Sequence, residues 1–228
     1  MIAYDAQSNS WSSSWTWSNW TTCTWSHTCS WSDRLLIVWT YGYFTSWWPR
    51  AVTWVTYNWV ALTNISSINW TADSVTQWTE LWYLVAPATW ANNIVITWSW
   101  NAQYASGSWI SYTWVNQSSP IDSYATGQSS STGSWSQSSL TLTTTVVDSN
   151  CWLTWFITAR SVNPTAWTWT TLRGQNTSTV STWWDSNGTV STGSRSLVWN
   201  WTTPYPWGVI ASIKPLVLST NNWFFNFF

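Results

Sequence analysis

The sequence predicts an all-β protein, a two-sheet antiparallel sandwich of jelly-roll type. Many short runs are either alternating or continuously apolar, Ser/Thr/Asn/Pro turn chemistry separates them, and no segment carries a 3.6-residue apolar period. A length of 228 residues suits one large β-domain as well as two small ones.

The elements follow along the chain. Residues 1–21 read as a flexible segment or a first edge strand, and 22–215 as the sandwich domain. In Cys23–Cys29, the odd positions Cys23, Trp25, His27 and Cys29 share one face, with Thr24, Ser26 and Thr28 on the other. Arg34–Tyr41 is apolar on both faces and reads as a central strand. Val52–Tyr57 and Val60–Thr63 flank Asn58 and Trp59, the spacing of a two-residue hairpin. Strands are expected over Glu80–Ala86, Asn93–Thr97 and Ile110–Val115. Residues 116–139 read as a loop or a linker between two halves. Leu140–Val147 puts Leu140, Leu142 and Val146 on one side, and Trp152–Ala159 is expected to be buried on both. Residues 161–198 are polar turns and short edge strands, and Trp207–Ile213 turns Trp207, Val209, Ala211 and Ile213 inward. Residues 216–228 form a C-terminal strand or tail.

Thirty tryptophans beside eight glycines need a physical account. Each indole needs burial or a partner, and so many would leave wide apolar patches. Their settings are those of glycine. Trp59 follows Asn58 where a type I′ turn requires φ > 0. Trp31, Trp47, Trp48, Trp90, Trp183 and Trp184 stand among Ser, Thr, Asn, Asp and Pro, in turn contexts. Trp11, Trp15, Trp17 and Trp20 interleave with small polar residues as glycine does in a flexible segment. Some bacterial lineages and their phages read the UGA codon as glycine, and another variant code reads it as tryptophan. Translation with the second code would place tryptophan at every UGA glycine. On this reading positions such as 31, 48, 59, 90 and 184 lie in turns, several at positive φ, with exposed rings. Trp25, Trp82, Trp152 and Trp207 are the exceptions, true strand tryptophans with buried rings.

Ser26–Val38, Val52–Thr63, Thr79–Trp90 and Gly208–Pro215, in this order, resemble a family of uncharacterised bacterial and phage exterior β-sandwich domains. The resemblance spans most of residues 4–215. It implies glycine at the turn positions of the first three segments and a true tryptophan at Trp82. It further implies a fold and an exterior location, with no activity and no site residues.

Only 6% of residues are charged and the net charge is −1, so no electrostatic footprint for nucleic acid or acidic lipid exists. No apolar run reaches the length of a membrane-spanning helix. The start, Met1–Ser10, lacks the basic and apolar regions of a signal peptide. The chain is therefore expected to be either a fragment of a longer exported protein or one that reaches the exterior another way, as within a virion.

Candidate chemistry is sparse, and the expected site inventory is no catalytic, cofactor-binding or metal residue, and no cofactor. Glu80 is the only glutamate and reads as a solvated edge residue without a carboxylate partner. His27 is the only histidine, so a Ser-His-Asp triad would have to use it, yet no nucleophile-elbow motif is present. Cys23, His27 and Cys29 share a face without the fourth ligand of a zinc site, and a hydrogen-bonded histidine is the plainer reading. Cys151 could pair with Cys23 or Cys29, or all three could be inert thiols. Asp185–Gly188 reads as an Asx-type turn in preference to a calcium loop. Asn64 and Asn116 open Asn-x-Ser triplets of the kind this composition produces by chance. Phe224, Phe225, Phe227 and Phe228 suggest a closing strand, an oligomer contact or an outer-membrane-type terminal strand.

The resulting expectation is a non-enzymatic cell-surface or virion module for display, adhesion or structural assembly, located outside the cell. Its partners would be a glycan or another surface or virion protein, with homo-oligomerisation through the C-terminal phenylalanines. A carbohydrate-binding jelly roll is the alternative, and a hydrolase the remote one.

Overall fold

The computed structural model describes residues 1–9, 20–44, 51–72, 75–102, 104–128, 139–158, 170–176, 181–200 and 206–217. At its centre lies β3 (Leu35–Phe44), the continuously apolar run, paired antiparallel to β9 (Tyr104–Thr113) on one side and β7 (Val75–Val85) on the other. β1 (Ala3–Asn9) and β6 (Thr63–Ala72) complete a first inner sheet in the order β1-β9-β3-β7-β6. The expected first edge strand is thus present as β1; residues 10–19 lie outside the described residues.

Alternate residues of β3 serve two different cores, which is why the run has no polar face. Leu36, Val38 and Phe44 face a first outer sheet, made of β2 (Trp20–Cys29), β8 (Trp90–Ala102), β4 (Val52–Tyr57) and β5 (Val60–Ala61). Leu35, Ile37, Trp39 and Tyr41 face a second inner sheet, in the order β10-β16-β12-β14-β13. Its strands are β10 (Ile121–Gln128), β12 (Trp152–Thr158), β13 (Thr171–Asn176), β14 (Ser181–Asp185) and β16 (Trp207–Ile213). Beyond it, Leu140, Leu142 and Val146 of β11 (Ser139–Val146) and Leu197 and Trp199 of β15 (Gly193–Asn200) form a second outer sheet.

The protein is therefore an all-β assembly of packed antiparallel sheets, in four layers where the sequence suggests two. Burial of both faces of β3, β12 and β16 follows directly, since each lies in an inner sheet. β16 turns Trp207, Val209, Ala211 and Ile213 into the middle core and Ile210 into the second outer core. Trp39 and Phe156 stack across the middle core with centroids 3.4 Å apart. The segment 116–139, expected as a loop or linker, contains β10; the crossover between the halves is confined to residues 114–120. No apolar alternation marks β10 in the sequence, because its pattern is half-exposed and polar, as suits an edge strand. No helix among the described residues is long and apolar enough to cross a membrane. The C-terminal phenylalanines lie outside the described residues.

Candidate functional site: a neutral outer face and three buried polar clusters

The outward positions of the first outer sheet form rows across its strands. Thr22 pairs with Thr97, which pairs with Trp54; Thr24 pairs with Val95, which pairs with Thr56; Ser26 pairs with Asn93. None of the four strands contains Asp, Glu, Lys or Arg. Neighbouring strands are about 4.8 Å apart, so these side chains form a closely spaced lattice of hydroxyl and amide groups. Trp54, on this face, is 57% exposed, and Trp100 of the same sheet is exposed too.

Beneath the face, His27 is buried and bonded at both ring nitrogens. The Ser111 hydroxyl donates to Asp5 Oδ2 at 2.7 Å and so accepts from His27 Nε2, 3.1 Å away. Nδ1 then accepts from the Ser8 hydroxyl at 2.7 Å, which assigns the Nε2–H tautomer. Asp5 is held in turn by the Ser30 backbone N–H at 2.9 Å, and the Trp109 indole N–H donates to Ser8. Burial lowers the His27 pKa from 6.5 to about 4, so the ring is neutral at pH 7. The Ser8–His27–Ser111–Asp5 chain ties β1 and β9 to β2 across the gap between two sheets. Only His27 of this cluster stood out in the sequence. Asp5, Ser8 and Ser111 reach it from other strands, and no local spacing announces them.

Glu80 is buried, which corrects the solvated-edge reading. It lies in mid-β7, where its carboxylate accepts from the Val52 N–H at 3.1 Å, Asn64 Nδ2 at 3.0 Å and Trp78 Nε1 at 2.5 Å. Desolvation nonetheless raises its pKa. Asn64 thus takes part in fixing Glu80, while Asn116 Oδ1 accepts from the Ser118 and Ser119 N–H groups in a turn.

Asp185, also buried, receives Arg173 Nε at 2.7 Å, the Tyr112 hydroxyl at 3.2 Å and the Asn187 N–H at 2.9 Å. The last bond is the expected Asx turn. Burial raises the Asp185 pKa, and Arg173 opposes the rise.

Cys23 and Cys29 belong to the first outer core and Cys151 to the second. Two inner sheets separate them, so the alternative of a disulfide to Cys151 is ruled out, and all three are free. Burial pushes their pKa up, to about 12 for Cys23 and about 11 for the others, which keeps the thiols protonated and inert. Among the described residues no group of three His, Cys, Asp or Glu is arranged to hold a metal ion.

Most of the described tryptophans fall into two populations, with Trp54 and Trp100, exposed in strands at ordinary φ, belonging to neither. Trp82, Trp152 and Trp207 are buried strand residues, as expected, whereas Trp25 lies in its strand but is only half-buried. Trp183 and Trp184, expected in a turn, instead lie in β14 with buried rings, a correction of the turn reading. Their polar neighbours misled, because β14 sends Trp183 into the middle core and Trp184 into the second outer core. Trp39, Trp98, Trp109, Trp155 and Trp199 are buried too, so buried tryptophans are not confined to the expected four. Trp31, Trp59, Trp90 and Trp114 differ: their φ values are 64°, 67°, 76° and 60°, and their exposures 76%, 92%, 80% and 44%. Asn58 has φ 49°, so the Asn58–Trp59 pair has positive φ at both central positions, as a type I′ turn requires. Position 48 lies outside the described residues. A bulky residue held at positive φ costs on the order of 1–3 kcal/mol.

No family model, no curated protein and no solved structure matches the chain.

Proposed function

We propose that the protein is a non-enzymatic exterior module for display, adhesion or structural assembly, working at a cell surface or in a virion. The carrying observation is the first outer sheet, whose four strands hold no Asp, Glu, Lys or Arg and whose outward positions are mainly Thr, Ser and Asn. Such a face hydrogen-bonds to a partner without charge, so contact through it is insensitive to the salt and pH of an external medium. The Asp5–Ser111–His27–Ser8 chain and the buried carboxylates Glu80 and Asp185 support the reading, since each is engaged by protein partners. Immunogold labelling with antibodies to the purified protein is the test. Label on the outside of intact cells or virus particles is expected, and label seen only after lysis overturns the reading.

A second reading, carbohydrate binding, is favoured by Trp54, whose exposed ring stands in one row with the hydroxyls of Thr97 and Thr22. An aromatic face flanked by hydroxyl groups suits a sugar ring. Retention on a glycan array that Trp54→Ala abolishes would favour this reading over the first.

A further inference from the structure

We propose that positions 31, 59, 90 and 114 are glycine in the protein as its gene encodes it, the codons there being UGA read as glycine. The backbone carries the inference. Among the described residues nine non-glycine positions have positive φ, and four of them are tryptophan. Another four are Asp33, Asn58, Asn150 and Asn187, short polar residues that enter this region with little strain; Ala86 is the ninth. Tryptophan has no such licence: its Cβ meets the following carbonyl as any bulky residue's does. Glycine, lacking the Cβ, adopts the conformation freely.

The side chains point the same way. All four rings are exposed and serve no core, whereas Trp39, Trp98, Trp109, Trp155, Trp184 and Trp207 are buried and none has positive φ. Backbone conformation and ring burial divide these ten tryptophans along the same line; Trp54 and Trp100 are exposed at ordinary φ, so the backbone, not exposure alone, selects the four. The division narrows the substitution from nearly all the tryptophans to those the backbone singles out.

The four positions also share a place. Leu35 pairs with Val85 and Tyr112, and Cys29 with Trp90, which brings the turns after β2, β7 and β9 together at one end. The Asn58 N–H bonds Asn93 O, and the Val115 N–H bonds Asp33 O, placing positions 59 and 114 at the same end. As tryptophan they would make an aromatic crown; as glycine they make four tight turns and a smooth, small-residue tip. A ligand that stacks on aromatic rings then has no platform at this end, and the face of the first outer sheet is left as the contact surface.

The nucleotide sequence of the gene is the test. UGA at codons 31, 59, 90 and 114 is the expected result, and UGG at any of them overturns the proposal for the set. Peptide mass spectrometry of the protein from its natural source reads the same point without the gene: glycine-containing peptides are expected, and tryptophan in any of the four overturns it. The variant carrying Trp31→Gly, Trp59→Gly, Trp90→Gly and Trp114→Gly should unfold at a higher temperature than the all-tryptophan chain. A lower midpoint would mean that the rings contribute to folding and would count against it.

Discussion

Arg173 Nε lies 2.7 Å from Asp185 Oδ2, and the same guanidinium covers the Tyr4 ring at 4.1 Å from its centroid. One cation thereby fastens β13 and β14, in the second half of the chain, to β1 in the first.

Removing the cation should be costly. Arg173→Ala leaves the Asp185 carboxylate buried with only Tyr112 and Asn187 as donors, a loss of about 3–5 kcal/mol for a broken buried pair. Urea denaturation measures it. Arg173→Lys keeps the charge but not the fork that also reaches Asn187, so it should recover only part. A loss below about 0.5 kcal/mol for Arg173→Ala would show that the pair contributes no more than an exposed one.

His27 sets an acid limit on stability. Its folded pKa, about 4, lies below the ordinary 6.5, so the unfolded chain binds the proton more readily. The contribution is fully present above pH 6.5 and lost as pH falls towards 4, by roughly 3 kcal/mol at 1.36 kcal/mol per pKa unit. Unfolding free energies between pH 7 and pH 4 should fall for the native chain and stay flatter for His27→Gln. Parallel profiles would refute this.

Glu80 acts in the opposite sense. Its pKa is raised in the folded state, so the stability it contributes is greatest below its unfolded pKa of 4.5 and is lost as pH rises through the folded value. Glu80→Gln should therefore gain on the native protein as pH increases from 4.5 to 8, with Asn64 turning its amide oxygen towards the new NH2. Glu80→Leu should lose stability at every pH, because the buried Val52 N–H loses its acceptor, at about 1–3 kcal/mol for an unmade bond. Neither change should create or abolish glycosidase or esterase turnover.

Gly174 and Trp183 are a cross-strand pair, and a Cβ on Gly174 would clash with the edge of the Trp183 ring. That ring is buried and stacks on Phe156, so moving it disturbs the middle core. Gly174→Ala should cost about 1–3 kcal/mol by overpacking. With Trp183→Leu in the background much of that cost should vanish, a coupling that a double-mutant cycle resolves. Additive effects would show that the ring does not rest on the glycine.

What the sequence made legible was local. The Asn58–Trp59 turn, the Asp185–Gly188 Asx turn and the alternation of Cys23–Cys29 are all written within a few residues, and each is present. The four-layer arrangement was not local. A strand with both faces buried looks the same whether it is central in one sheet or shared by two cores, so Leu35–Phe44 could not reveal how many sheets it serves. Trp183 and Trp184 illustrate the same blindness, because Ser, Thr and Asp beside them suggested a turn while the second outer sheet that buries Trp184 lies elsewhere in the chain. Glu80 and His27 are conspicuous as the sole glutamate and the sole histidine, but nothing local encodes their environments. Val52 is 28 residues from Glu80, and Ser111 is 84 residues from His27.

The crossover at residues 114–120 is the single described thread between two halves that are otherwise contiguous in sequence and joined by the rings of Trp39, Phe156, Trp183 and Trp207. Severed there, each half would keep its outer sheet and bare one wide greasy flank. The two pieces would be poor solutes alone and ready mates together. Truncation after the first half would thus yield a sticky by-product, whereas co-expressed halves should click back into one body, a natural seam for splitting the molecule into complementing parts.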